Sequence, residues 1–203
     1  MTSGEPNDPD EKTRAKENVP DPARRETLRW LWRIPVLAAL GGVGWGAWEA
    51  YYVHFDKVTP DAPDFTPLTP QRVAALSALS APWSSVTFML DNGTGQLPAI
   101  ALHVPEAIPG GVSVGAKHFL AFSRICTHQG CPVTLREDLA ALEVAFNYRT
   151  TEPALACPCH LSVFSPLEAG KAVSGPARRP LPRVQLETRG DVLFAVGLEE
   201  PRS

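Results

Sequence analysis

The segments CTHQGC at residues 126–131 and CPCHLS at residues 157–162 contain all four cysteines of the chain. Each segment offers a cysteine and a histidine two or three positions apart, together with a second cysteine. Thiolate sulfur and imidazole nitrogen are ligands that bind zinc and iron in proteins. The two segments therefore predict one shared site at which two loops of the folded chain meet.

Three kinds of site are compatible with this pattern. A structural zinc site can use two cysteines and two histidines, but it leaves the other two cysteines without a role. Two disulfide bonds use every cysteine but leave both histidines unexplained. An iron-sulfur cluster with mixed ligands, together with one disulfide bond, uses all six residues.

The two segments resemble the C-T-H-x-G-C and C-P-C-H-x-S boxes of the Rieske [2Fe-2S] family, in the branch found in cytochrome bc complexes. SGPARRPLP at residues 174–182 is similar to the proline loop that covers the cluster in that family. The resemblance implies a Rieske-type [2Fe-2S] cluster. It also implies an all-β head over residues 71–203, in which a cluster-binding subdomain, about residues 124–180, is inserted into an antiparallel base domain.

The resemblance also gives each site residue an implied role. Cys126 and Cys157 would bind one iron, His128 and His160 would bind the other, Cys131 and Cys159 would form a disulfide bond, and Ser162 would donate a hydrogen bond to the cluster. Two neutral imidazole ligands raise the reduction potential above that of a four-cysteine cluster. Histidine also titrates near neutral pH. His160 and His128 are therefore the implied catalytic residues, at which electron and proton uptake are coupled.

Two positions depart from the family pattern. Phe164 stands where many high-potential members have a tyrosine, so one hydrogen-bond donor to the cluster is missing and a lower potential is expected. Leu161 replaces the usual glycine, which places the local backbone geometry in question, although not the ligands. A lower potential would suit menaquinol as the electron donor.

The flanking sequence favours short strands separated by turns. Alternating or apolar runs predict strands over 85–90, 100–104, 117–123, 143–148, 184–187 and 192–196, with turns at 91–93 and 189–191. Residues 71–82 predict a short helix that Pro82 ends. Four prolines within residues 55–70 predict an extended hinge or linker between the head and the segment before it.

The amino-terminal part predicts a membrane anchor. Residues 1–29 are charged and proline-rich, which indicates a disordered tail. The stretch at 23–29 resembles a twin-arginine export signal. Residues 30–54 are expected to form a single retained transmembrane helix, since 34–53 contain one charge in 20 residues. Arginines before this segment and aspartates after it place the tail in the cytoplasm of a bacterial cell and the head on the extracytoplasmic side of the cell membrane.

The resemblance implies the electron-transfer iron-sulfur subunit of a membrane quinol–cytochrome c oxidoreductase, an enzyme that is active only as a complex. Its partners would be a cytochrome b subunit, a c-type cytochrome and quinol. One alternative is the small Rieske subunit of a periplasmic molybdoenzyme such as arsenite oxidase, and another is a zinc- and disulfide-stabilised adhesion module. The net charge of -3 argues against a nucleic-acid partner.

Overall fold

A computed structural model describes residues 22–55, 57–60 and 62–200. The chain divides into two units, residues 1–48 and 49–203. The first helix, α1, runs from Pro22 to His54 and crosses this boundary. Residues 1–21 of the predicted tail lie outside the described residues, and residues 22–29 differ from the prediction because they are helical. Proline fits the first helical position, and the following alanine, arginine, glutamate and leucine residues favour a helix.

The segment predicted to cross the membrane lies within α1. Large apolar side chains along α1 are exposed, including Trp30 at 63%, Leu37 at 64% and Trp45 at 72%. Within the part of the chain that the structure describes, no helix combines the length and the apolar content that a membrane span requires.

The second unit is built from three antiparallel sheets. Its strands are β1 (Phe65–Ala75), β2 (Ser85–Asp91), β3 (Gln96–Val104), β4 (Val112–Val114), β5 (Lys117–Ser123), β6 (Thr134–Arg136), β7 (Ala154–Cys157), β8 (Ser162–Ser165), β9 (Lys171–Ser174), β10 (Val184–Arg189) and β11 (Val192–Glu199). The first sheet has the order β1-β11-β10, the second β2-β3-β5-β4 and the third β6-β7-β8-β9. The chain leaves the second sheet after β5, forms the whole third sheet, and returns into β10 of the first. The all-β expectation is therefore confirmed for the head.

The second sheet is the middle layer of the head. Ala99 and Ala101 of β3 pack with residues of the first sheet, whereas Ile100 and Leu102 pack with residues of the third sheet. Successive side chains of a strand point to opposite faces, so this alternation buries both faces of β3. The apolar cluster between the second and third sheets includes Cys126, whereas the cluster between the first and second sheets does not. The candidate site therefore lies against the core between the second and third sheets.

Two predicted elements are wrong. The helix expected at 71–82 is replaced by the end of β1 and a 3-10 helix at Leu76–Leu79, because residues up to Ala75 pair with β11. The strand expected at 143–148 is a helix, α2, at Leu139–Phe146. The Asp138 side chain accepts a hydrogen bond from the backbone N–H of Ala141 at 3.1 Å, which is a helix N-cap. Asn147 ends the helix in the left-handed conformation.

The predicted linker is only partly irregular. Strand β1 begins at Phe65, within the 55–70 segment, and pairs with β11. It contains Pro67 and Pro70, which cannot donate a backbone hydrogen bond; β1 lies at the edge of its sheet, where one side of the strand needs no partner, and its pairing shifts between Pro67 and Gln71.

Candidate metal centre

The first cysteine segment forms a closed loop between β5 and β6. The backbone N–H of Cys126 donates to the carbonyl of Cys131 at 2.9 Å, and the N–H of Gly130 donates to the carbonyl of Cys126 at 2.9 Å. Gly130 has a φ of 76°, a conformation that glycine adopts without a steric cost. These contacts place His128 at the turn of the loop, while Cys126 remains buried beneath it at 3% exposure.

The second segment is the connection between β7 and β8. Cys157 is the last residue of β7 and pairs with Ser162, the first residue of β8. The four residues between them form the hairpin connection. Cys157 points into the core, whereas Cys159 and His160 are exposed. This short connection therefore carries one buried cysteine, at the end of β7, and one exposed histidine.

The two loops meet through matched residues. Cys126 and Cys157 belong to the same buried cluster, and both thiols are free. Burial raises the pKa of the Cys126 thiol, and the neighbouring Cys157 raises it further. A disulfide bond joins Cys131 to Cys159, with the two Cα atoms 6.5 Å apart. The disulfide bond thus ties the loops together, and the free sulfur of Cys157 lies within 4.8 Å of both disulfide sulfurs.

The imidazole rings complete the site. The ring centroids of His128 and His160 lie 4.9 Å apart, and the planes make an angle of 86°. The Nδ1 atom of His128 is buried and has no hydrogen-bond partner among the described residues. A buried ring nitrogen without a partner is costly unless a ligand satisfies it. Two thiols, two imidazoles and this orphaned nitrogen fit an iron-sulfur cluster with mixed ligands.

The proline loop lies over both cysteine loops. The backbone N–H of Ala177 donates to Oγ of Ser162 at 3.1 Å, and Oγ1 of Thr127 donates to the carbonyl of Arg179 at 2.7 Å. Ser162 is fully buried. Since its oxygen accepts from Ala177, its own hydroxyl hydrogen remains available to donate towards the site.

Gly175 brings the proline loop closest to the second cysteine loop. A Cβ atom added at Gly175 would lie 2.4 Å from the carbonyl oxygen of Leu161 and 2.6 Å from Cα of Ser162. Real Cβ atoms do not approach backbone atoms so closely, so the position requires glycine. Gly175, Thr127 and Ala177, which hold the proline loop against the cysteine loops, were not predicted from the sequence to do so. Thr127 could have been noticed because it lies inside the first cysteine segment.

His103 and His118 make their contacts with residues outside the two cysteine loops. His103 is buried and packs against the ring of Phe119 at 5.2 Å between centroids. His118 is bonded to Oγ of Ser113 at 2.7 Å. The Nδ1 atom of His103 has no hydrogen-bond partner among the described residues. Glu137, Asp138 and Glu143, between the cysteine loops, are exposed, and Glu143 forms an ion pair with Arg149.

Leu161 adopts a conformation that explains why glycine is usual at this position. Its φ is 60°, in the left-handed region, and its side chain is 44% exposed. A residue with a Cβ atom pays about 1–2 kcal/mol in this region. We expect Leu161→Gly to raise the free energy of unfolding by about 1 kcal/mol, measured by chemical denaturation of the holoprotein. Leu161→Ala keeps the Cβ atom and is the control; an equal gain in both variants would contradict the backbone explanation.

Comparison with known proteins gives a family match in the same region. Residues 107–185 match the sequence profile of the Rieske [2Fe-2S] domain. The chain is 36% identical over 85 residues to the cytochrome bc1 complex Rieske iron-sulfur subunit of Corynebacterium glutamicum, covering 41% of this chain and 18% of that protein. It is 36% identical over 91 residues to iodate reductase subunit IdrB of Denitromonas iodatirespirans, covering 44% of this chain and 43% of that protein. The matched segment thus spans less than half of the length of either relative.

One solved structure aligns with part of this chain. The soluble domain of Rieske protein II from Sulfolobus acidocaldarius aligns with 66% of this chain and 80% of its own, at 24% identity and a TM-score of 0.48. The profile match contains both cysteine segments and the whole proline loop, and the donor groups in those segments suit the cofactor of that family. Residues 107–185 are therefore a Rieske [2Fe-2S] domain, and a [2Fe-2S] cluster is its cofactor.

Proposed function

We propose that this chain is the electron-transfer iron-sulfur subunit of a membrane quinol–cytochrome c oxidoreductase. The observation that carries the proposal is that the two loops bring the imidazole rings of His128 and His160 into contact and also carry two buried free thiols, with His160 exposed at the surface. An electron donor can reach such an exposed imidazole directly. Cys126 and Cys157 would hold one iron, and His128 and His160 would hold the other.

The cluster and the residues around it have separate roles in the proposed electron transfer. The cluster, when bound, supplies a one-electron acceptor of raised potential. With the cluster bound, the His160 ring nitrogen that does not bind iron would, in its deprotonated form, accept a hydrogen bond from a quinol hydroxyl group and take up that proton as one electron leaves the quinol. The electron then passes to a c-type cytochrome. Cys126 and Cys157, at 3% and 1% exposure, keep water away from the sulfur-bound side, and the Cys131–Cys159 disulfide bond holds the two loops in place.

The similarity to a cytochrome bc1 subunit supports this proposal. A second candidate is the small Rieske subunit of a periplasmic molybdoenzyme, and the similarity to an iodate reductase subunit favours a terminal reductase or oxidase of that kind. Affinity purification of the tagged full chain from solubilised membranes distinguishes the two. Cytochrome b haem in the purified complex supports the first candidate. Molybdenum without cytochrome b would overturn it in favour of the second.

The proposal includes a membrane anchor formed by α1, with the head outside the cytoplasm. Its support is the 34–53 sequence with a single charge, the arginines that precede it, and the exposed apolar side chains of α1. Alkaline carbonate extraction of membranes is the test. An anchored chain stays in the pellet, and protease added to intact spheroplasts degrades its head. Release into the supernatant would contradict the anchor.

Phe164 stands at a position where a tyrosine is expected to raise the midpoint potential of the cluster. Phe164 is fully buried in the apolar cluster that also contains both free cysteines. A tyrosine hydroxyl at this position would donate to the cluster and favour the reduced state. We expect Phe164→Tyr to raise the midpoint potential by about 30–60 mV in an EPR-monitored redox titration, where 59 mV is tenfold in the equilibrium constant for one electron. Phe122→Tyr, in the same apolar cluster but on β5, is the control. An unchanged midpoint in Phe164→Tyr would contradict the role of this position.

A further inference from the structure

A lysine far away in sequence reaches the proline loop. Lys57 lies in the segment predicted as a linker, and its ammonium group donates to the carbonyl oxygens of Gly175 and Ala177, the latter at 2.7 Å. The next residue adds a backbone contact, since the N–H of Val58 donates to the carbonyl of Arg178 at 2.9 Å. Three hydrogen bonds therefore join residues 57–58 to residues 175–178.

The same short stretch of the proline loop touches the site. Ala177 donates its backbone N–H to Oγ of Ser162, and Gly175 packs directly against the backbone of Leu161 and Ser162. Ala177 and Ser162 are 1% and 0% exposed. Lys57 and Ser162 are thus linked through Ala177. The Ala177 carbonyl accepts a hydrogen bond from the lysine, and the Ala177 N–H donates one to the serine.

Lys57 also brings a positive charge to the proline loop. Its ammonium group is partly buried, and charge interactions are screened less there than in water. Reduction adds a negative charge to the cluster, so a nearby fixed cation favours the reduced state. A stable position of Ser162 acts in the same direction, because a hydrogen bond to a cluster sulfur also raises the potential.

We propose that Lys57 is a positioning residue that holds residues 175–178 on the second cysteine loop and thereby raises the reduction potential of the cluster. The inference rests on the proposed cluster ligands. Residues 57–58, which precede the predicted head, are then part of the redox site. When they leave the proline loop, the reduction potential of the cluster falls.

The test uses the full chain purified in detergent with its cluster. In Lys57→Met we expect the equilibrium constant for reduction to fall about tenfold, equal to about 59 mV for one electron, in an EPR-monitored titration. Hydrogen exchange at the Ala177 amide should become at least tenfold faster in the same variant. Lys57→Arg, which keeps the charge and the donors, should retain the wild-type potential and the wild-type exchange rate. Lys57→Gln keeps a donor without the charge and should give a smaller fall.

The control for total charge is Lys117→Met, because Lys117 is exposed on β5. Its potential should equal that of the wild type. An unchanged potential in both Lys57→Met and Lys57→Gln would overturn the proposal, and so would an unchanged exchange rate at Ala177 or an equal shift in Lys117→Met. A wild-type chain without a Rieske EPR signal would instead overturn the cluster assignment itself, so the two failures are distinguishable.

Discussion

Replacing His160 with alanine is expected to remove the cluster while leaving the fold intact. His160 would supply one of only two nitrogen ligands to its iron, and its ring packs mainly against His128. The side chain is exposed, so the apolar core loses nothing when it is truncated. We expect bound iron per chain to fall more than tenfold and the EPR signal of the reduced protein to disappear. Circular dichroism in the far ultraviolet should remain that of a β protein.

The matched control is His118→Ala. His118 is also a histidine near the end of a strand pair, but its hydrogen bond runs to Ser113 and it lies on β5. Iron content and the EPR signal should remain those of the wild type in this variant. A full Rieske signal in His160→Ala would show that this imidazole is not a ligand, and the proposed division of ligands between the two loops would fail.

Gly175→Ala is expected to have the largest effect on stability. The new methyl group would lie within 2.4–2.8 Å of three backbone atoms of Leu161 and Ser162, and the φ of 77° is itself unfavourable for alanine. Overpacking costs about 1–3 kcal/mol and the left-handed conformation about 1–2 kcal/mol. We expect a loss of about 3 kcal/mol in the free energy of unfolding, and partial loss of the cluster because the proline loop can no longer close.

Gly93→Ala is the control that tests the cost of the backbone conformation without the steric clash. Gly93 has a similar φ of 83°, but a Cβ atom there would meet no heavy atom within 4 Å. Its expected loss is about 1 kcal/mol, measured by urea denaturation alongside Gly175→Ala. Equal losses in the two variants would contradict the contact between the proline loop and the second cysteine loop.

The sequence was most informative where the chemistry is local. The two cysteine segments predicted a shared site, and the structure brings together the six side chains that they contain. The strands with clear apolar runs, such as β5 and β10, begin where the patterns placed them. The short strands β6 to β9 were not predicted. Each of these strands has only three or four residues, too few to show a period of two.

The errors have physical causes that can be named. Residues 143–148 contain valine, phenylalanine and tyrosine, which favour strands, but the capping residues Asp138 and Asn147 mark the two ends of a helix. Residues 71–75 could form a helix by composition, but pairing with β11 overrides the local preference. The contact of Lys57 with the proline loop joins residues 118 or more positions apart, and no local pattern could have predicted it.

In the proposed site, two cysteine sulfur atoms hold one iron and two imidazoles hold the other. Metal and sulfide analysis of the full chain, purified anaerobically after export, tests it most directly when it is combined with Mössbauer spectroscopy of the iron-57 form. We expect equal amounts of iron and acid-labile sulfide, no stoichiometric zinc, and two iron sites with different isomer shifts in the oxidised state. One equivalent of zinc without sulfide, or two identical iron sites, would contradict it.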